Sequence, residues 1–267
     1  MTRVAITGAA GRMGRTLVAA LQGSTELVLT AAIERAGTDA VGADAGEVAG
    51  IGKTGVLVVD DLLAACPDFD VLIDFTIADA TADNLRVCAS QGKKMVIGTT
   101  GLSDAQRQEV DKAGERIAIV FAPNYSIGVN AAFKLAETAA RILGNGVDIE
   151  IIEAHHRNKV DAPSGTALGL GESVAKALGR NLGDVSVYGR QGISGVRDRE
   201  TIGFHSLRGG DIVGEHTVVF AGAGERLEIT HRSQSRTNFA EGALRAATWV
   251  TGKSVGVFDM RDVLGLA

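Results

Sequence analysis

Residues 4–15 read VAITGAAGRMGR, and the fold turns on how that stretch is read. Residues 3–6, RVAI, are a short, mainly apolar run, suited to a strand buried on both faces. Residues 12–23 follow with helical spacing. Between them Gly8, Gly11 and Gly14 give GxxGxxG. Gly11 and Gly14 hold the last two positions of the dinucleotide fingerprint GxGxxG, and Ala9 takes the first. The physical requirement is unchanged: a small residue for the tight turn, Gly11 for backbone approach to a pyrophosphate, Gly14 for close helix–strand packing. The helix N-terminus then offers N–H groups and partial positive charge to phosphates. The competing reading is an ordinary strand–helix turn.

The surrounding sequence favours the ligand-binding reading. Glu34 ends the next apolar run, 27–33, and lies 20 residues after Gly14, where an acid accepts hydrogen bonds from ribose hydroxyls. Its neighbour Arg35 suits a 2′-phosphate, so the pair suggests tolerance of both NADH and NADPH. Apolar runs at 71–75, 95–98 and 117–122 alternate with helical segments at 81–92 and 103–115. That alternation predicts parallel βαβ units in a Rossmann-like sheet. Gly98, Thr99 and Thr100, and the stretch from Ala122 through Pro123 and Asn124 to Tyr125, fall at carboxyl ends of strands, where open α/β sheets bind ligands. Residues 49–55, AGIGKTG, imitate a phosphate loop, but position 47 is Glu where that motif needs Gly.

The pattern changes after about residue 127. A long amphipathic helix (130–143), a strand (148–156) and a helix (165–178) precede three runs, 201–209, 215–224 and 226–233, that read as antiparallel strands. Less helix between strands points to a second, α+β domain on an open mixed sheet. A helix at 236–252 follows. The chain has 267 residues, 45% hydrophobic and 22% charged, enough for a sizeable core without disulfides. A net charge of −5 gives no basic field for nucleic acid or an anionic membrane. Cys66 and Cys88 lack ligand spacing, no apolar run is long enough to span a bilayer, and the first residues do not suit a signal peptide. A cytoplasmic protein is the expectation.

Residues 153–167 read EAHHRNKVDAPSGTA. His155 and His156 at a strand end point to opposite sides, which disfavours a shared metal ion. Histidine exchanges protons near neutral pH, Lys159 adds a compact positive charge, and Ser164, Gly165 and Thr166 open a helix whose N–H groups suit a carboxylate. The sum is a pocket for a small polyanion beside a general acid. The plain alternative is a solvated basic strand end and an ordinary cap.

Taken together, GAAGRMG, the Glu34–Arg35 pair, DFT at 74–76, GTTG, the histidine segment, GDIVGEHTV at 210–218 and FDMRDVL at 258–264 resemble the 4-hydroxy-tetrahydrodipicolinate (dihydrodipicolinate) reductase family over nearly the whole chain. The resemblance implies reduction of a cyclic unsaturated dicarboxylate to tetrahydrodipicolinate with NADH or NADPH, without metal, in lysine and diaminopimelate biosynthesis. It implies His155 as proton donor or acceptor with Lys159 as second acid. It gives His156, Lys159, Ser164, Gly165, Thr166 and Thr100 to substrate. It gives Gly8, Ala9, Ala10, Gly11, Arg12, Met13, Glu34, Arg35, Gly98, Thr99, Thr100, Ala122, Pro123, Asn124 and Tyr125 to the cofactor. It also implies a homotetramer and a tail that returns to the first domain. The expected division is 1–126 plus 236–267 for dinucleotide binding, and 127–235 for substrate binding and oligomerisation. Two other readings compete. Homoserine and aspartate-semialdehyde dehydrogenases also join a dinucleotide domain to an α+β domain, and the latter need a nucleophilic Cys, which neither Cys66 nor Cys88 suits. A non-catalytic dinucleotide sensor needs no acid constellation.

Overall fold

A computed structural model describes residues 1–266. The chain begins β1 (Thr2–Thr7), α1 (Arg12–Leu21), β2 (Leu27–Ile33), α2 (Ala45–Ala49), β3 (Val58–Val59), α3 (Leu62–Ala65), β4 (Val71–Asp74), α4 (Ala78–Gln91), β5 (Lys94–Ile97), α5 (Asp104–Gly114) and β6 (Ala118–Phe121). It continues through α6 (Ile127–Leu143), β7 (Asp148–His155), α7 (Gly165–Ala177), α8 (Leu182–Val185), β8 (Ser186–Tyr188), β9 (Ile202–Arg208), β10 (Gly214–Ala221) and β11 (Arg226–Ser233). It closes with α9 (Thr237–Thr251), β12 (Gly256–Phe258) and α10 (Met260–Leu264). Two compact units result, Met1–Ile127 with Arg236–Ala267, and Gly128–Ser235.

The first unit is built on a seven-stranded sheet in the order β12-β6-β5-β4-β1-β2-β3 among the described residues, parallel throughout. Alternate residues of one strand feed opposite layers, as the period-2 geometry requires. Val4 and Ile6 pack with Leu17 of α1 and Ala243 of α9. Ala5 packs with Leu72, and with Leu85 of α4 and Val110 of α5, on the other face. Burial on both faces explains why these strands read as unbroken apolar runs. Helix starts follow their caps. Ser103 accepts a hydrogen bond from the Gln106 N–H, and the Gln106 side chain answers by accepting from the Ser103 N–H at 2.9 Å.

The false phosphate loop has a structural use. Its chain wraps the Asp44 carboxylate, which accepts from the N–H groups of Gly46 (2.8 Å), Thr54 (2.9 Å) and Gly55 (2.7 Å). The Thr54 N–H bond leads the causes that hold this carboxyl below the usual carboxylate range. Burial opposes them. A backbone nest occupied by the protein's own acid has no room for a phosphate.

The second unit carries a five-stranded sheet in the order β11-β10-β7-β9-β8 among the described residues. Here the expectation of one antiparallel run needs correction. β10 and β11 do form an antiparallel hairpin. β9, however, pairs in parallel with β7, which lies between it and β10. The connection from β7 to β9 passes through α7 and α8. A crossover of that length returns the chain in its original direction, which a tight turn cannot do. One face of this sheet packs Ile149, Ile151, Phe204 and Val218 against Ala136 of α6 and Leu170 of α7. The far ends of Ile152 and Leu207 remain exposed, at 46% and 54%.

Tyr125 anchors the end of β6 in the first unit. Its ring is 1% exposed and lies 5.3 Å from that of Phe75. Its hydroxyl donates toward the carbonyl oxygens of Ile97 and Val120, at 3.0 and 2.9 Å. Tyr125→Phe removes this buried donor and is expected to lower the unfolding free energy by about 1 kcal/mol. Urea unfolding followed by the fluorescence of the single tryptophan, Trp249, measures that loss.

Candidate active site

In the first unit the parallel register brings the candidate residues to one edge. Thr7 pairs with Ile33 on one side and Asp74 on the other, Asp74 with Ile97, and Ile97 with Phe121. These are the last residues of β1, β2, β4, β5 and β6. Gly8, Glu34, Gly98 and Ala122 each follow immediately, so segments up to 114 residues apart in sequence (Gly8 to Ala122) leave the sheet along one row.

The glycine turn has the geometry its residues predict. Gly8 lies at φ +65°, in the left-handed region, and lets the chain turn off β1. A Cβ on Gly14 would overlap the Gly8 carbonyl oxygen and the Ala9 backbone. Gly14 therefore has to be bare for α1 to sit this close to the turn. Gly11 caps α1 with no side-chain hydrogen bond, so the first N–H groups of that helix face outward without a side-chain partner. Arg12 is exposed beside them, while Ala9 is buried. The Glu34 carboxylate reaches the turn. One oxygen accepts from the Ala10 N–H and the other from the Arg35 N–H, both at 3.0 Å. The Arg35 side chain is exposed.

The later loops are held by Asp74, which is fully buried. Its Oδ1 accepts from the Thr76 N–H (2.9 Å) and hydroxyl (2.6 Å), and its Oδ2 from the Asn84 amide (2.9 Å). The Thr99 hydroxyl donates to Asp74 Oδ1 at 3.3 Å and accepts from Thr81 at 2.8 Å. Thr99 and Tyr125 thus have buried side chains that are already engaged. What they can offer a ligand is main chain. Thr100 and Pro123 are exposed at the same edge.

In the second unit, β7 changes character along its length. Its core-facing residues run Ile149, Ile151, Glu153, His155, all buried. Two titratable side chains thus occupy the carboxyl end of an otherwise apolar stripe. Glu153 Oε2 lies 2.6 Å from His155 Nδ1 and accepts from Arg208 Nη1 at 2.8 Å. Oε1 accepts from Arg208 Nη2 at 2.7 Å and from the Ser164 N–H at 3.2 Å. Arg208 sits beside His155 in the β7–β9 register, and His216 beside Glu153 in the β7–β10 register. The His155 and His216 rings meet edge-on at 5.1 Å. His216 Nε2 lies 2.8 Å from Ser164 Oγ, which also caps α7 by accepting from the Ala167 N–H.

Burial works against charge on Glu153, but hydrogen bonds from Arg208, Ser206 and His155 overcome it and hold the carboxyl at about 2. His155 is pulled below the ordinary histidine value. Burial is the main cause, Glu153 opposes it, and Lys159 and Arg208 add to it. His216 is pushed down to about 3, chiefly by burial and then by the neighbouring His155.

The sequence-predicted residues divide between the two units. His155, Ser164 and the start of α7 at Gly165 and Thr166 come together in the second unit. Thr100 belongs to the first. His156 follows the end of β7, and its Nδ1 is buried without a partner. Lys159 pairs with Asp161, Nζ to the two carboxylate oxygens at 2.7 and 2.8 Å. Asp161 is half exposed. Such a pair contributes about 0–1 kcal/mol, so a bound anion can take its place. Glu153, Arg208 and His216 were not singled out from sequence. The available signal was Glu153 at i−2 from His155, on the same strand face.

Family models described as dihydrodipicolinate reductase, N-terminus, and dihydrodipicolinate reductase, C-terminus, match residues 2–125 and 128–264. The chain is 62% identical over 265 residues to the 4-hydroxy-tetrahydrodipicolinate reductase of Alkalilimnicola ehrlichii, covering 99% of both chains. It is 58% identical over 264 residues to that of Acinetobacter baumannii, covering 99% of this chain and 96% of the relative. Among solved structures, a dipicolinate-bound dihydrodipicolinate reductase from Paenisporosarcina sp. superimposes with a TM-score of 0.76 at 25% identity, over 97% of each chain.

Acid should weaken the second unit in a defined window. The unfolded chain protonates its histidines near 6.5, whereas folded His216 resists until about 3. Over that interval the unfolded state binds the extra proton, so stability falls as pH falls, by up to ~1.4 kcal/mol per pH unit for one group. Glu153 adds a loss of the same sign from its ordinary value of 4.5 down to about 2. Urea titrations between pH 7 and pH 4.5 are expected to show a smaller acid loss for His216→Asn than for the native chain, approached at ~1.4 kcal/mol per pH unit.

Proposed function

This chain belongs to the dihydrodipicolinate reductase family, and we infer from that premise how its residues divide the work. It is an NAD(P)H-dependent oxidoreductase that reduces 4-hydroxy-tetrahydrodipicolinate to tetrahydrodipicolinate in lysine and diaminopimelate biosynthesis. The observation that carries the assignment of the site is the histidine cluster at the end of β7, where His155 stands over a buried ionised carboxylate beside the first turn of α7.

The first unit fits a dinucleotide. Gly8 turns, Gly14 must lack a Cβ, the uncapped start of α1 suits a pyrophosphate, and Glu34 lies at that turn. When bound, the reduced nicotinamide supplies the hydride. Ala9, Ala10, Gly11, Arg12 and Met13 line the phosphate turn in this reading. Glu34 accepts from the ribose, and Arg35 pairs with a 2′-phosphate when one is present, so both NADH and NADPH serve. The main chain of Gly98, Thr99 and Thr100, and of Ala122 to Tyr125, holds the nicotinamide end.

The second unit binds the dicarboxylate. Gly165 and Thr166 at the start of α7 offer N–H groups to one carboxylate, with Ser164 fixing that first turn. His156 contributes its unpartnered Nδ1, and Lys159 exchanges Asp161 for a substrate oxygen. Orientation of the ring by its carboxylates is itself worth several kcal/mol of barrier. The 4-hydroxyl of the substrate leaves as water, and electron density moves to the ring nitrogen as hydride adds to the unsaturated ring so formed. His155, with Lys159, supplies the proton that completes the reduction.

Four finer readings belong to the same proposal. The two units correspond to a dinucleotide-binding domain and a substrate-binding and oligomerisation domain. The enzyme works without metal. It assembles as a homotetramer, supported by the exposed apolar residues Ile152, Val187 and Leu207 on the helix-free sheet face. It works in the cytoplasm, consistent with the lack of a helix long and apolar enough to cross a membrane among the described residues.

The test is loss of reduced-nicotinamide absorbance with the fresh condensation product of aspartate semialdehyde and pyruvate. Turnover with both NADH and NADPH supports the Glu34–Arg35 reading. Turnover with one alone rejects dual use. His155→Ala is expected to reduce turnover by ~10²–10⁴-fold while leaving the cofactor Kd unchanged. Equal losses in both would reject the role given to His155.

A further inference from the structure

Glu153 is 1% exposed, and its hydrogen-bonding capacity is used in a specific pattern. Each carboxylate oxygen takes one branch of the Arg208 guanidinium, and the Ser164 N–H, His155 and the Ser206 side chain add to these. Oε1 takes the Ser164 N–H and Oε2 takes His155 Nδ1. Arg208 is itself tied back, donating to the carbonyl oxygens of Leu207 and Asp161, both at 2.7 Å. A buried Arg–Glu pair alone is weak evidence of purpose, because well-packed apolar side chains stabilise a strand pair at least as well. The third partner changes the argument. An ionised carboxylate can only accept. The proton on the His155–Glu153 contact therefore belongs to Nδ1, and the neutral ring is left with its lone pair on Nε2.

We infer that Glu153, clamped by Arg208, is the positioning residue for His155. It fixes the tautomer with Nδ1–H on the carboxylate, so that Nε2 takes up a proton from solvent and the resulting imidazolium, held by Glu153, passes it to substrate. Through the Ser164 N–H the same carboxylate holds the first turn of α7, so one buried group sets both the proton-transfer atom and the start of the carboxylate-binding helix. This rests on the reading of His155 as the acid–base residue.

Arg208 has a second part in the arrangement. A lone carboxylate at 2.6 Å would strongly favour a charged imidazole. Glu153 does raise the proton affinity of His155, but burial, Lys159 and Arg208 lower it, with burial the largest cause. The charged and titratable groups around the ring are Glu153 on β7, Arg208 on β9, His216 on β10 with His231 across from it on β11, and Lys159 and Asp161 after β7. The pair thus orients the ring while leaving it uncharged near neutrality. Opposite consequences follow for the two partners. Removing the charge of Glu153 lowers the proton affinity of His155, and removing that of Arg208 raises it.

The experiment is the pH dependence of kcat/KM with saturating NADH for the native enzyme, Glu153→Gln, Arg208→Gln, Arg208→Lys and His155→Gln. Glu153→Gln is expected to reduce kcat/KM by about 10²-fold. It moves the limb that His155→Gln abolishes about one pH unit lower. Arg208→Gln moves that limb the other way, and Arg208→Lys, which keeps the charge, restores it toward the native position. Ring ¹⁵N shifts of His155 in the native enzyme, which need no variant, are expected to report Nδ1 protonated and Nε2 bare. Limbs that stay in place or move in the same direction in Glu153→Gln and Arg208→Gln overturn the proposal alone, as does an Nε2–H tautomer in the native enzyme. A His155→Gln enzyme that keeps its turnover and its limb overturns the acid–base reading itself, and the positioning role with it.

Discussion

The parallel hydrogen-bond ladder of the first unit constrains nearly everything around it. Parallel strands cannot be joined by tight turns, so each one needs a helical crossover, and each crossover starts from the same sheet edge. That is why Thr7, Ile33, Asp74, Ile97 and Phe121 end in one row. Loops that leave such a row are neighbours whatever their distance in sequence. The ladder also demands burial on both faces, which fills the strands with Val, Ile, Leu and Met and leaves chemistry to the residues just beyond them. Asp74 is the exception that supports the rule. It is a charged residue in the last position of a central strand, surrounded by hydroxyl and amide donors and serving the loops rather than the core.

The second unit solves a different problem. Its sheet has a helix-covered face and an open one, so its strands alternate, and polar residues can stand on either side. On the open side Glu150 gathers Arg190, Arg197 and His205, and these contacts hold it at about 2 although burial opposes ionisation. On the covered side Glu153 gathers Arg208, His155 and Ser164. The two carboxylates lie three residues apart on one strand and face opposite ways. The first ties a long loop to the sheet. The second lies among groups that bear on proton transfer.

Much of this was legible in the sequence because local rules and tertiary context agree there. The apolar run at residues 27–33 becomes β2 without change of boundary, and Ser103 caps α5 from the position its residue type predicts. The glycine turn was legible because its spacing encodes a steric requirement that no other residue meets. The parallel pairing of β9 was not legible, since strand direction depends on the path of the crossover and not on the strand's own residues. The two-residue β3 and three-residue β12 are too short to carry a period. The histidine segment announced itself by composition. Glu153 did not, because a glutamate in an alternating strand looks like the solvent-facing member. Only the Ile149–Ile151 parity reveals that it faces inward. Arg208 and His216 reach it through strand pairing, and pairing partners are absent from a linear reading.

The first unit is made from two separated stretches of chain. α9 adds Ala240, Ala243, Ala246, Ala247 and Val250 to its core, and β12 completes one edge of its sheet against β6. The chain emerges from the ribosome from its N-terminus, and domains generally fold as they appear. Residues 128–235 are thus available to fold as an uninterrupted unit while the earlier stretch still lacks one of its covering helices. During synthesis the apolar face of β4, β5 and β6 that α9 later covers waits until residues 237–251 have been made. An order of assembly follows in which the second stretch to be synthesised is the first able to finish, and the unit that holds β1 closes only once α9 and β12 have been made.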